Sequence, residues 1–155
     1  MDDVIHDLLH RGVETIIEKK SVEEKLRAGK KLRIKHGVDP TTKDLHLGYT
    51  VIYRKLRKLQ ELGHTVVFLI GDFTGRFGDP TDKLETRGMR TKEEVETMAK
   101  TYIDQIKKIL DVKALEIRYN GEWYDKISAD ELFRILYEFT DEQMRQREMF
   151  KERRQ

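Results

Sequence analysis

The chain of 155 residues contains no cysteine, only two prolines and a single tryptophan. Without cysteine, the sequence can form no disulfide and no cysteine-ligated zinc or iron–sulfur site. Its apolar runs are all shorter than the roughly 18 residues that predict a membrane-spanning helix. The acidic start, Met1-Asp2-Asp3, also lacks the basic segment of a secretory signal. We therefore expect a soluble, cytoplasmic protein that does not enter a membrane.

An excess of charge of one sign is also missing, although charged residues are abundant. They make up 39% of the chain, against roughly 25% in an average soluble protein. The 31 Lys and Arg are nearly balanced by 29 Asp and Glu, which leaves a net charge of +2. A purely electrostatic nucleic-acid binder would need a net basic excess, so this balance gives that class no support.

The apolar residues repeat with helical spacing in some segments and with strand spacing in others. Short buried strands are predicted over residues 32–38, 65–71 and 114–119. The second of these is apolar on both faces, as a central parallel strand is. The predicted fold is therefore α/β: a Rossmann-like parallel sheet with flanking helices and right-handed crossovers.

Helix boundaries are predicted from capping residues. Residues 3–19 have helical spacing throughout, and Ser21 opens a capping box for a second helix that Gly29 ends. Helices are also predicted over 46–62, closed by Gly63, and over 91–110, opened by a capping box at Thr91. Residues 120–125 are predicted as a loop, with Trp123 in the core, and two last helices are predicted to begin after capping boxes at Ser128 and Thr140.

The first candidate site follows the first predicted strand and runs into the next helix, as Gly37-Val-Asp-Pro-Thr-Thr-Lys-Asp-Leu-His-Leu-Gly-Tyr49. Ligands of open α/β sheets bind beyond the carboxyl ends of strands, and a helix N-terminus favours a phosphate there. Thr41 and His46 can donate hydrogen bonds to phosphate oxygens, and Gly48 would allow close approach of a nucleotide. Taken without its neighbours, His46 is also typical of an ordinary residue at a helix N-terminus.

A second candidate site follows the neighbouring strand, as Gly71-Asp-Phe-Thr-Gly-Arg-Phe-Gly-Asp-Pro-Thr81. The two strands bring both loops to one edge of the sheet. Asp79 could present its carboxylate to a ligand ammonium, although a plain Gly-Asp-Pro turn is the alternative interpretation. The four histidines other than His46 show no metal-ligand spacing, so no metal site is predicted.

These strings resemble the class I aminoacyl-tRNA synthetases. His46-Leu-Gly-Tyr49 is similar to their His-Ile-Gly-His signature, and Gly37-Val-Asp-Pro-Thr-Thr is similar to the version in the tyrosyl-tRNA synthetases. The resemblance extends to 63–75, to Gly78-Asp-Pro-Thr81 and to Asn120-Gly-Glu-Trp123. It implies the formation of tyrosyl-adenylate from tyrosine and ATP with Mg²⁺, transfer of tyrosine to tRNA(Tyr), and a homodimeric parent protein.

The resemblance also implies roles for individual residues. Catalysis would fall to Thr41 and His46, which would stabilise the ATP phosphates in the transition state. The residues expected to bind ATP are Asp39, Thr41, His46, Gly48 and Tyr49. The residues expected to bind tyrosine are Lys35, Gly37, Thr74, Asp79 and Asn120.

The sequence also departs from the family pattern. Tyr49 replaces the second signature histidine, Lys35 stands where well-known members place a phenol-binding tyrosine, and Asp82 replaces a glycine. No segment resembles the second signature, Lys-Met-Ser-Lys-Ser. We therefore interpret the chain as the N-terminal half of a catalytic domain, with helices over 1–30, half of the nucleotide-binding domain over 31–119 and a helical connecting segment over 120–155.

Two other functions stay open at this stage. A non-catalytic fragment that binds RNA or a partner chain would also lack the second signature. A small nucleotidylyltransferase would share the fold and a similar His-containing turn, but in that group the turn lies almost at the N-terminus. The mixed basic and apolar last helix fits a dimer or tRNA contact, or else a solvated charged surface.

Overall fold

The chain alternates helices with three short strands. The computed structural model describes residues 2–77 and 89–140. Its elements in chain order are α1 (Asp2–His10), α2 (Lys19–Arg27), β1 (Arg33–Val38), α3 (Tyr49–Glu61), β2 (Thr65–Ile70), α4 (Lys92–Ile106), β3 (Leu115–Tyr119), α5 (Gly121–Tyr124) and α6 (Ala129–Tyr137). Single 3₁₀ turns lie at Thr74–Arg76 and Val112–Ala114.

The three strands form one parallel sheet in the order β1-β2-β3, which confirms the α/β prediction. Strand β2 is central, and alternate residues of it, Val66, Phe68 and Ile70, are fully buried. Val38 pairs with Ile70, and Ile70 pairs with Tyr119, so all three strands end at the same level. The loops that follow them therefore share one edge of the sheet.

The first helix is shorter than predicted. The apolar spacing predicted one helix over residues 3–19, but α1 ends at His10 because Gly12 adopts a left-handed φ of 63° and turns the chain. Lys55 Nζ fixes this end by donating to the backbone carbonyls of Leu8 and Arg11. Ile17, predicted on the apolar face of that helix, is 83% exposed.

The predicted capping boxes at Thr91 and Ser128 are confirmed, because each side chain accepts from the third helical N–H and each Glu reciprocates. The predicted box at Ser21 is wrong. Helix α2 begins three residues earlier, at Lys19 after the N-cap Glu18, so Ser21 lies inside the helix. The box predicted at Thr140 continues into 141–143, outside the described residues.

Residues 120–125, predicted as a loop, contain the short helix α5. Its start is held by the buried Asp72, whose Oδ1 accepts from Gly121 N at 2.7 Å. Trp123 is 42% exposed rather than in the core, because α5 turns it toward the groove beside α6.

Within residues 2–77 and 89–140, the helices are too short or too polar for any of them to span a membrane.

Candidate functional site

A cleft of about 610 Å³ opens at the carboxyl edge of the sheet, where the loops after β1 and β2 meet. It brings together most of the residues predicted for ATP and tyrosine. The lining consists of Lys35, Gly37, Val38, Asp39, Thr41, Thr42, His46, Tyr49, Leu69, Gly71 and Asn120. Gly48 and Thr74 lie beside the lining, and Asp79 and Asp82 lie outside the described residues.

A chain of hydrogen bonds connects the ends of the three strands at this cleft. Thr74 Oγ1 donates to Asp39 Oδ1 at 2.7 Å, and Asn120 Nδ2 donates to Thr74 Oγ1 at 2.9 Å. The other amide atom, Asn120 Oδ1, accepts from Phe73 N at 2.8 Å. Asn120 is buried, so its polar atoms need these partners. The Asp39 carboxylate is thereby fixed in orientation at the mouth of the cleft.

Gly71 makes this network possible. A β-carbon at this position would overlap Asp39 Oδ1 and Thr74 Oγ1. Gly71 N also donates to Val38 O at 2.9 Å, which brings the two loops together at their roots. Gly71 opens the second predicted site loop, but no role for it was predicted from the sequence. Its position directly after the central strand was the available signal.

The predicted phosphate-binding turn packs its two aromatic side chains together. The ring centroids of His46 and Tyr49 lie 4.5 Å apart, and Tyr49 N donates to His46 O at 3.1 Å. A β-carbon on Gly48 would lie 3.0 Å from two atoms of the imidazole ring, so glycine permits this packing. Helix α3 begins at Tyr49, three residues after the predicted start, because His46–Gly48 form the turn.

The floor of the cleft carries a positive charge. Lys35 and Gly37 lie on the same exposed face of β1, and a β-carbon on Gly37 would be 3.7 Å from Lys35 Nζ. The ammonium group therefore extends over the glycine into the cleft, where a larger residue would compete for the space. Lys35 and Asp39 thus supply opposite charges to one cavity.

Burial sets the protonation of the aromatic groups behind the turn. Desolvation raises the pKa of Tyr49, with a smaller contribution from Tyr102, so the Tyr49 phenol is neutral at pH 7. Burial, more than the neighbouring Lys35, lowers the pKa of His36. His36 Nε2 and Tyr53 Oη are both buried and have no partner among the described residues. The lowered pKa of His36 and the raised pKa of Tyr49 both favour the neutral forms of these side chains beside the charged cleft.

Arg90 also holds the two site loops together, a role that was not predicted from the sequence. Its guanidinium donates to Thr41 O at 2.8 Å and to Gly75 O at 3.4 Å, so it ties the first site loop to the second. The backbone N–H of Arg90 donates to the backbone carbonyl oxygen of Arg76 at 2.9 Å. Sequence offers no signal for such a contact, because an arginine 49 residues from its acceptor resembles any other surface arginine.

A second contact fixes the turn Thr74–Arg76. Arg76 Nη2 lies 3.0 Å from Asp125 Oδ1, and Lys92 Nζ lies 3.1 Å from Asp125 Oδ2. Hydrogen bonds from Lys92 and then Arg76 lower the pKa of the Asp125 carboxyl. The second site loop is thus linked to the start of α4 and the end of α5.

No three His, Asp or Glu side chains converge as metal ligands within 2–77 and 89–140.

Known proteins share both sequence and fold with this chain. The family described as "tRNA synthetases class I (W and Y)" matches residues 27–155. The chain is 47% identical over 153 residues to a tyrosine–tRNA ligase of Oleidesulfovibrio alaskensis, covering 99% of this chain and 38% of the relative. It is 47% identical over 146 residues to a tyrosine–tRNA ligase of Thermotoga maritima, covering 94% and 36%. The chain thus spans little more than a third of these relatives.

Two solved structures share the fold. A C-terminally truncated mitochondrial tyrosyl-tRNA synthetase of Coccidioides posadasii matches with a TM-score of 0.68 at 24% identity, over 97% of this chain and 44% of that one. A tyrosyl-tRNA synthetase of Archaeoglobus fulgidus, complexed with L-tyrosine, matches with a TM-score of 0.66 at 21% identity, over 88% and 39%.

Proposed function

The chain belongs to the class I tRNA synthetases of the W and Y group, and we propose on that premise that it takes part in activating tyrosine with ATP and transferring it to tRNA(Tyr). The observation that carries the proposal is the cleft, in which the Asp39 network and the turn before α3 face one cavity. Tyrosine is favoured over tryptophan because the relatives at 47% identity are tyrosine–tRNA ligases.

On the ATP side of the cleft, Thr41 and His46 would donate hydrogen bonds to the phosphates. Gly48 and Tyr49 would lie under the nucleoside, and Asp39 would orient both substrates. Two features support this assignment: the N–H groups at the start of α3 favour an anion, and His46 lines the cavity at that end. Mg²⁺ would enter with ATP as its counter-ion.

On the amino-acid side, Thr74 and Asn120 would line the pocket and hold Asp39, while Gly37 would leave room for the substrate. The Lys35 ammonium would meet the polar end of the tyrosine side chain. Asp79 would pair with the substrate ammonium. The support for this arrangement is the hydrogen-bond chain that joins Thr74, Asn120 and Asp39.

In the proposed reaction a carboxylate oxygen of tyrosine attacks the α-phosphorus of ATP, and the bond from that phosphorus to the bridging oxygen breaks to release pyrophosphate. Negative charge increases on the oxygens of phosphorus during this displacement. Donors that contact those oxygens more closely in the transition state lower the barrier. We assign this role to Thr41 and His46.

The helix α6 supports the homodimer that the resemblance implies. It exposes a set of large apolar side chains, each between 42% and 90% exposed: Leu132, Phe133, Ile135, Leu136 and Tyr137. An apolar surface of this kind on a soluble domain marks an interaction site. We propose that a second copy of the chain covers this apolar surface in the parent protein. Residues 120–155 would form the connecting segment. The protein would work in the cytoplasm, where aminoacylated tRNA is used.

The proposal is tested by measuring tyrosine-dependent exchange of pyrophosphate into ATP with the protein as its gene encodes it. We expect exchange with L-tyrosine and none with L-tryptophan. Titration of L-tyrosine into the 155-residue chain should also give saturable binding that Lys35→Met weakens. RNA binding without any tyrosine-dependent exchange would overturn the proposal and favour a non-catalytic, RNA-binding fragment.

A further inference from the structure

Helix α4 holds the first site loop from behind. The loop has no helical or strand structure over residues 39–46, so its backbone groups need partners elsewhere. Gln105, in the last turn of α4, contacts three consecutive loop residues. Its Oε1 accepts from Leu45 N at 2.8 Å, and its Nε2 donates to Lys43 O and to Asp44 Oδ1, both at 3.2 Å.

Two neighbours of Gln105 on the helix extend this contact. Thr101 Oγ1 lies 2.8 Å from Lys43 O and 2.7 Å from Met98 O, and its single proton can be donated to either carbonyl. The buried phenol of Tyr102 accepts from Thr42 N at 3.4 Å and lies 3.2 Å from Thr42 Oγ1. These side chains, about 60 residues away along the sequence, occupy the loop's polar groups one residue after another.

The contact ends directly before the proposed catalytic histidine. Leu45 N, held by Gln105, belongs to the Asp44–Leu45 peptide, one peptide before the one that joins Leu45 to His46, so the amide of Gln105 fixes the backbone one residue ahead of His46. Thr41, at the other end of the loop, is held by Arg90 through its carbonyl oxygen. The two donors assigned to the phosphates are therefore placed by side chains that do not reach the cleft.

We propose that Gln105 is a positioning residue, which places His46 for catalysis by fixing the backbone over residues 43–45; this inference rests on the proposed function. Glutamine suits the task because one planar group carries both an acceptor and two donors. Glutamate has the same shape but no donor. Its carboxylate would still accept from Leu45 N, yet would face Lys43 O and the Asp44 carboxylate without a proton between them.

The test is Gln105→Glu in the protein as its gene encodes it. We expect kcat for tyrosine activation to fall by about 10- to 100-fold, the range in which misplacement of a reacting group by about 1 Å is felt. The KM for tyrosine should stay within about twofold, because the amino-acid side is held by other contacts. Asp44→Asn alone should have little effect. Combined with Gln105→Glu it should restore most of kcat, since the side-chain amide introduced at position 44 can donate to the new carboxylate.

Gln60 supplies the matched control. In the last turn of α3 it makes the same two-sided contact with a different loop: Nε2 donates to Asp111 O at 2.9 Å, and Oε1 accepts from Asp111 N at 3.1 Å. That loop lies at the amino edge of the sheet, away from the cleft. Gln60→Glu should reduce stability to a similar degree and leave kcat unchanged.

The outcomes separate the inference from the function it rests on. If the unmodified protein shows no tyrosine-dependent exchange, the proposed function fails. Amide hydrogen exchange still tests the positioning in that case, because Gln105→Glu should speed exchange over 43–48 while Gln60→Glu should not. A kcat equal in Gln105→Glu and Gln60→Glu, no rescue by Asp44→Asn, or unchanged hydrogen exchange over 43–48 would each overturn the inference.

Discussion

Gly71 and Asp39 approach so closely that a β-carbon on the glycine would overlap the Oδ1 atom of the aspartate. We therefore predict that Gly71→Ala displaces the Asp39 carboxylate and breaks its hydrogen bond with Thr74. Overpacking of this kind costs about 1–3 kcal/mol of unfolding free energy. Urea unfolding measures that loss, and calorimetric titration should show that tyrosine binding weakens with it.

Gly37→Ala is the control for the stability effect of this substitution. The added carbon would lie 3.7 Å from the flexible end of Lys35, which is an ordinary contact. The unfolding free energy should therefore be close to that of the unsubstituted protein. If Gly71→Ala binds tyrosine as tightly as the unsubstituted protein does, the role given to the Asp39 network is wrong.

A second prediction concerns the hydroxyl in the middle of that network. Thr74→Val keeps the shape of the side chain but removes the donor to Asp39 and leaves the buried Asn120 Nδ2 without its acceptor. An unsatisfied buried polar group costs about 1–3 kcal/mol. Both stability and tyrosine affinity should fall. Thr97→Val, which removes an exposed hydroxyl bonded within α4, should change neither; equal losses in the two variants would exclude a special role for Thr74.

The sequence predicted the sheet well because strand signals are local. The run over 65–71 is apolar on both faces, and β2 is the central strand, although only the face of Val66, Phe68 and Ile70 is fully buried. The same reasoning predicted that the loops after the first two strands share the carboxyl edge, whereas the place of Asn120 beside Thr41 and His46 was implied only by the family resemblance. Local capping chemistry likewise predicted the start of α4 at Thr91.

The sequence predicted less wherever the structure depends on distant contacts. The apolar spacing over 3–19 could not show that Gly12 would adopt a positive φ or that Lys55 would cap α1. The same limit applies inside the site. Gln105 and Arg90 act through backbone groups some 50 to 60 residues away, and neither has a sequence signature. A motif thus identifies side chains that face a ligand more readily than those that hold the backbone.

A third prediction tests the role assigned to His46. His46→Ala should lower kcat for tyrosine activation by about 100-fold, the effect of removing one donor to transition-state charge. Tyrosine affinity should change little, because the imidazole lies at the α3 end of the cleft. His6→Ala, on the exposed face of α1, is the control. A large loss of tyrosine binding with kcat intact would show that His46 belongs to the amino-acid side.

A fourth prediction addresses the apolar face of α6. Phe133 is 70% exposed, and replacing it with glutamate would place a charge in any interface that covers it. If a second copy binds there, Phe133→Glu should raise the dimer dissociation constant by at least about tenfold, measured by sedimentation. Ile17→Glu changes an apolar residue outside α6 that is even more exposed, at 83%, and should leave association unchanged. A parent protein that stays monomeric at all concentrations would exclude the dimer.

The last prediction concerns pH and two histidines, His36 in β1 and His64 directly before β2. Burial lowers the pKa of His36 and of His64 from the usual 6.5, with smaller contributions from Lys35 and Lys31 respectively. His64 Nδ1 also accepts from Leu32 N at 3.3 Å, a contact that protonation of this nitrogen would break. Above about pH 7.5 both rings are neutral in the folded and unfolded states, and they contribute no pH dependence.

Below about pH 6.5 the unfolded chain binds protons that the folded protein still excludes, so the unfolding free energy must fall as the pH is lowered. Each histidine adds a slope of at most about 1.4 kcal/mol per pH unit, until the pH reaches its folded pKa. Urea unfolding between about pH 7.5 and 5 measures this slope. His36→Gln should reduce it even if it changes stability at neutral pH, because a glutamine binds no proton in either state. An unchanged slope in His36→Gln would mean that the His36 ring is protonated as readily in the folded protein as in the unfolded chain.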